Sequence, residues 1–208
     1  MTRPRQSIDR LVVARIYGHG RGWIFTPSHF KGLGSRDAIA SALKRHKQSG
    51  LIRRLGRGLY DYPKTHPTLG VLEPSLDRVA KALSGQAAIR LQPSGAYAAN
   101  LLGLSTQVPM RVVYLTDGPS RMVQVGNRKI ILKSTTPRNM ATAGTISGLV
   151  IQALRHLGRQ HVDPAVIARL DRRLDNAARL QLMKDIRYAP GWIADIVREL
   201  ASHDRGEE

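Results

Sequence analysis

Asp37, Ser41, Lys44, Arg45 and Gln48 recur at three- and four-residue spacing, so a helix through them gathers their polar ends on one side. Hydroxyl, ammonium, guanidinium and amide groups in such a row suit base edges and phosphate oxygens. A further arginine, Arg57, stands between Gly56 and Gly58. The glycines permit the positive φ of a tight turn, which holds one guanidinium at its tip. Arg53 and Arg54, in the apolar run just before that tip, add two more cations to the candidate set. The chemistry on offer is attraction and hydrogen bonding to a polyanion, with no bond made or broken.

Residue sets for covalent or metal chemistry are incomplete. Ser94, Tyr97 and Asn100 suggest part of a Ser/Tyr catalytic pair, but the fourth residue after the tyrosine is Leu101, not a lysine that would lower the tyrosine pKa. Gly56-Arg57-Gly58 is not a phosphate-cradling loop, because no Gly-Lys-Ser/Thr follows it. His19, His29, His46, His66, His156, His161 and His203 form no His-x-x-x-His pair on a predicted helix, so zinc is not expected. Metal-dependent nucleotidyl transfer needs converging carboxylates, and the predicted sheet region offers only Asp117, before Gly118, where aspartate ordinarily serves a turn. The chain also has no cysteine, which removes disulfides and thiolate catalysis. A protein without enzymatic activity, cofactor or metal is the expectation.

The elements that must position the basic residues are legible. Ser35 can cap a helix whose apolar stripe runs through Ile39, Ala42 and Leu43, with His46 beside it, and Gly50 stops it. Two β-like runs follow, 51–55 and 59–62, joined by the glycine-flanked arginine. Upstream, Ser7 precedes a stripe of Ile8, Leu11, Val12 and Ile16. Gly18, Gly20 and Gly22 end that helix, Trp23-Ile24-Phe25 reads as a short strand, and Thr26-Pro27 opens a short second helix through Phe30. Helix, strand, helix, helix and hairpin form the order of a winged helix-turn-helix, here over residues 1–64, with the third helix as reader.

Residues 62–70, with two prolines and a glycine, read as a linker. Beyond it, residues 74–83 and 94–102 are helical in pattern. Runs 88–91, 111–116, 122–125 and 129–132 are strand-like, the last two forming a tight hairpin at Gly126-Asn127. From Thr145 the period is helical again: Ile146, Leu149, Val150, Ala153, Leu154 and Leu157 share a stripe, with Gln152, Arg155 and Arg159 off it. Asp163-Pro164 caps a further helix, with Val162 placed to staple Ile167. Leu180, Met183 and Ile186, then Trp192, Ile193, Ile196, Val197 and Leu200, continue as core of bundle helices, and the tail from Ser202 frays. The fold class is therefore α+β: an N-terminal winged helix-turn-helix (1–64), then an α+β domain (65–208) with a small sheet and C-terminal helices.

Composition agrees. The 208 residues carry a net charge of +18, and 42% are apolar, enough to bury a core. Residues 1–64 hold 14 Lys and Arg against 3 Asp and Glu, so most of the excess lies in under a third of the chain. Basic faces also occur as plain solvated surface, but local concentration favours phosphate binding. Nucleic acid is the first candidate partner and an anionic membrane surface the second. No apolar run approaches the ~20 residues of a transmembrane helix, and no secretion core precedes residue 30, which predicts a cytoplasmic protein.

Three blocks carry a family likeness: Pro93-Ser94-Gly95-Ala96-Tyr97-Ala98-Ala99-Asn100, Leu102 to Pro109 (LGLSTQVP) and Tyr114 to Gly118 (YLTDG), together with GRGLYDYPK and LVIQALRHLG on either side. In these the chain resembles the AbiEi family of antitoxins, from type IV toxin–antitoxin systems of bacteria and archaea. The resemblance implies a winged helix-turn-helix that binds inverted repeats in its own promoter as an autorepressor. It also implies a C-terminal domain needed for antitoxicity and a nucleotidyltransferase-like toxin encoded next door. The family's DNA-contacting residues match Arg36, Ser41, Lys44, Arg45 and Arg57. Its C-terminal domains vary, so no antitoxic residues carry over. Alternatives are an antitoxin that holds the toxin directly through its C-terminal domain, a plain regulator without a toxin, or an enzyme of nucleic-acid modification.

Overall fold

The computed structural model describes residues 7–85 and 89–202. Its class is α+β, as the patterning requires. The chain divides after residue 88 into two compact units, residues 123–127 being grouped with the first. Residues 65–85 are grouped with the first unit.

The first unit opens with α1 (Ile8–His19), whose start is set by Ser7, its side chain accepting from the Arg10 amide. Strand β1 (Ile24–Phe25) leads into the expected short helix through Phe30, one turn of 3₁₀ form over Pro27–Phe30. Next come α2 (Arg36–Gln48), β2 (Arg53–Gly56) and β3 (Leu59–Asp61). Strand β3 lies between β1 and β2, antiparallel to both. Strand β2 carries one extra residue, Leu55, between the pairs Arg54↔Tyr60 and Gly56↔Leu59. The predicted linker contains a small hairpin, β4 (Thr65–His66) with β5 (Gly70–Val71), before α3 (Leu76–Ser84). Its strands are two residues each and exposed, too short to show a period.

The core of this unit is Val12, Ile16, Phe25, Phe30, Ile39, Ala42, Leu43 and Ile52. Phe25 and Phe30 meet edge to face at 5.3 Å, and Tyr60 stacks on Phe25 at 6.0 Å. His29 secures the 3₁₀ turn: its Nδ1 accepts from the Thr26 amide at 3.1 Å, and its carbonyl accepts from Arg15 at 2.8 Å. Burial, reinforced by the nearby His19, pushes the His29 imidazole below its ordinary value of 6.5. The unfolded chain therefore takes up this proton first. Stability should be flat above about pH 6.5 and fall as the pH drops toward the folded-state value. Urea midpoints measured across pH 5 to 8 test this, and His29→Gln should flatten that part of the profile.

The chain from residue 89 contains β6 (Leu91–Ser94), α4 (Gly95–Leu101), β7 (Arg111–Thr116), β8 (Arg121–Val125) and β9 (Arg128–Ser134), all in the second unit except residues 123–125 of β8. The first strand falls later than the predicted run 88–91, of which Ala88 lies outside the described residues. Strand order is β6-β7-β9-β8, with β7 antiparallel to β6 and parallel to β9. Pro93, which cannot donate to a ladder, sits on the edge strand. A short helix, α5 (Pro137–Met140), precedes α6 (Ile146–Leu157), α7 (Pro164–Asp171), α8 (Asn176–Asp185) and α9 (Gly191–Ser202).

Thr145, Asp163 and Asp175 each cap the helix that follows. Val150, Ile151, Ala153 and Leu154 of α6 join Leu170, Leu182, Ile193, Val197 and Leu200 in one core. A Cβ at Gly148 would run into the Thr142 carbonyl and the Gln92 side chain, so α6 has no room for alanine at that position.

Two expectations fail in this unit. Gln152 is buried, not off the packed stripe, because its Oε1 accepts from Ser94 Oγ at 3.1 Å. Leu180 and Met183 are exposed, at 65% and 40%, while Leu182 takes the core position on α8. The tail after Ser202, including His203, lies outside the described residues.

Candidate nucleic-acid interface

Helix α2 divides cleanly into two faces. Ser35 caps it through Oγ, 3.2 Å from the Ala38 amide. Ile39, Ala42 and Leu43 are buried, whereas Arg36, Asp37, Ser41, Lys44, Arg45, Lys47 and Gln48 are exposed. Arg36, Ser41, Lys44 and Arg45, expected from the sequence as contacts, thus lie on the solvent side of a helix fixed by its other side. Arg57 and Arg54 belong to a different element, the β2–β3 hairpin. Arg57 is exposed in the two-residue turn Arg57-Gly58, where Gly58 takes φ +68°. Arg54 is also exposed, with Nε donating to the Gly56 carbonyl at 3.2 Å.

Arg53 needs a correction. Its Nε and Nη2 donate to the two carboxylate oxygens of Asp61 at 3.1 and 2.7 Å, and Nη2 also reaches the Leu72 carbonyl at 3.2 Å. Asp61 is 2% exposed and sits directly opposite Arg53 across the β2–β3 ladder. The guanidinium is a partner to a buried carboxylate, so three of its five N–H groups are engaged within the fold.

Arg45 is engaged as well, but at the surface. Its Nε and Nη2 donate to Asp9 Oδ1 at 3.2 and 2.7 Å, and His46 Nε2 lies 3.2 Å from the same oxygen. The hydrogen bond from Arg45 holds the Asp9 carboxyl below the usual carboxylate range, with the neighbouring His46 adding to the effect. Asp9 is a neighbour of the candidate face that sequence reading missed. Asp9 is 36 residues from Arg45, and only the α1–α2 packing brings them together.

Three of the residues weighed for catalysis, Ser94, Asn100 and Asp117, make hydrogen bonds within the fold. Ser94 bonds Gln152, and Asn100 Nδ2 donates to the carbonyls of Ser105 and Gln107. Asp117 accepts from both the amide and Nε of Arg90 at 2.9 Å, contacts that hold its carboxyl below the ordinary range. Among the described residues no group of three or more His, Asp or Glu side chains is placed to hold a metal ion. None of the described helices is long and apolar enough to cross a membrane.

Residues 12–182 match the model of a family of unknown function, DUF6088. No curated protein matches the chain.

Proposed function

We propose that this chain, which belongs to the DUF6088 family, binds double-stranded DNA as a transcriptional autorepressor and acts as the antitoxin to a nucleotidyltransferase-like toxin. The observation that carries the DNA part is the exposed face of α2, with Arg36, Ser41, Lys44 and Arg45 outward on a helix whose opposite side is core. In this reading α2 enters a major groove, and Arg57 reaches an adjacent minor groove or phosphate from its turn. Arg54 assists from the same hairpin, and Arg53 is left out. The protein works as a binder and not as an enzyme, and it resides where its DNA does, in the cytoplasm.

A titration of duplex DNA against salt tests the proposal. Arg36, Lys44 and Arg57, each neutralising one phosphate, give a log–log slope of about −3, at roughly 0.9 per phosphate. A flat response, or equal affinity for every duplex at every salt concentration, refutes sequence-specific binding.

The antitoxin part rests on the AbiEi resemblance in residues 93–118. Direct contact with the toxin is a second reading, favoured by the exposure of Arg155 on α6, Arg169 on α7, and Arg159, Arg172 and Arg173 beside their ends. Co-purification with the product of the neighbouring gene separates the two: a stable complex means sequestration, and rescue of growth without one means indirect antagonism.

A further inference from the structure

The exposed cations of the first unit are not equivalent. Arg36, Lys44 and Arg57 enter none of the ion pairs formed among the described residues. Arg45 is fixed by two hydrogen bonds to one oxygen of Asp9, a residue in the first turn of α1. The pair is open to solvent, with 58% of the Arg45 side chain and 36% of the Asp9 side chain exposed. As a contribution to folding, such a pair is worth little. Its geometry nevertheless has a consequence for recognition. A guanidinium has five N–H groups, and Asp9 occupies one on Nε and one on Nη2, leaving both on Nη1 and one on Nη2. The parallel pair across Nη1 and Nη2 is the fork that fits O6 and N7 of guanine. A carboxylate at this point also repels every phosphate equally, whatever the sequence.

We propose that Asp9 is the specificity-determining residue of the interface: it holds Arg45 with its fork free for a guanine edge and withholds that arginine from indiscriminate phosphate contact. This rests on the DNA-binding reading above. An unrestrained arginine would gain affinity for any duplex, whereas a restrained one gives up phosphate affinity and keeps discrimination. Asp9 is a positioning residue, acting through Arg45 without touching the DNA.

The test uses the full chain, the best duplex recovered from a randomised library, and a scrambled duplex of the same length and composition. Wild type, Asp9→Asn, Arg45→Lys and the double variant are compared over a salt series, with thermal melts as a folding control. Asp9→Asn should bind the scrambled duplex about 3- to 10-fold more tightly, steepen its salt slope by roughly 0.9, and lower the ratio of selected to scrambled affinity about tenfold. Arg45→Lys keeps the charge but lacks the fork, so it should lower the same ratio without raising scrambled binding. In the Arg45→Lys background, Asp9→Asn should change the ratio less than twofold. An Asp9→Asn effect equal on both duplexes overturns the proposal, because Asp9 is then only a charge. A wild type that shows no salt-dependent preference for the selected duplex overturns it differently, by removing the DNA reading itself.

Discussion

Replacing Arg57 by glutamate should weaken binding of the selected duplex about 10- to 100-fold at about 0.1 M salt while leaving the unfolding midpoint where it was. The arginine is exposed at the tip of a two-residue turn, and among the described residues it enters no ion pair. The turn geometry is set by Gly58 at φ +68°, which the substitution leaves in place. Folding therefore loses nothing, whereas the complex loses one cation at a phosphate and gains an anion there. Fluorescence anisotropy across a salt series should show the slope reduced by at least 0.9, with Arg57→Lys close to wild type. Unchanged affinity in Arg57→Glu would take the β2–β3 turn out of the interface.

Arg53→Met should act in the opposite way, costing about 2–4 kcal/mol of stability with little effect on DNA affinity measured well below the unfolding midpoint. Removing the guanidinium leaves Asp61 charged, 2% exposed and without its cation, between β1 and β2 on the central strand β3. Breaking one side of a fully buried pair costs about 3–5 kcal/mol, and the lower range applies because 36% of the Arg53 side chain meets solvent. Urea unfolding reads the loss. The double variant Arg53→Met with Asp61→Leu should recover part of it, since an apolar pair leaves no buried charge unpaired. A DNA defect in Arg53→Met as large as that of Arg57→Glu, with stability intact, would return Arg53 to the interface.

The two variants separate what the sequence carries from what it hides. Local rules sufficed for α2: a capping serine, a three-to-four apolar stripe and a terminal glycine predict its span and its buried side. They sufficed also for β7 and for the β8–β9 turn, where alternation and Gly126-Asn127 are strong signals. What stayed hidden depends on residues distant along the chain. Gln152 is polar and 58 residues from Ser94, so periodicity puts it outside, although a hydrogen bond brings it in. Leu180 and Met183 are apolar at helical spacing, yet α8 turns Leu182 to the core, a choice made by the packing of α6 and α9. The candidate interface was legible as a set of cations on one face. It was not legible as a set in which Asp9 engages one arginine and Asp61 another, because charge counting takes no account of pairing.

The extra residue in β2 shows how sharply that accounting can turn. An unbulged ladder closing at Gly56↔Leu59 would set Arg54 across from Asp61 and move Arg53 opposite Tyr62. Composition, net charge and strand count would all be the same, yet the other guanidinium would be drawn inward and the outward one would stand one position, about 3.4 Å, further from the turn. The bulge, by leaving Leu55 without a partner, thus selects which of two adjacent arginines faces the outside world. A ladder that paired Leu55 with Tyr60 would present a rearranged surface under an unchanged charge tally, whereas a chain lacking that leucine would keep Arg53 across from Asp61.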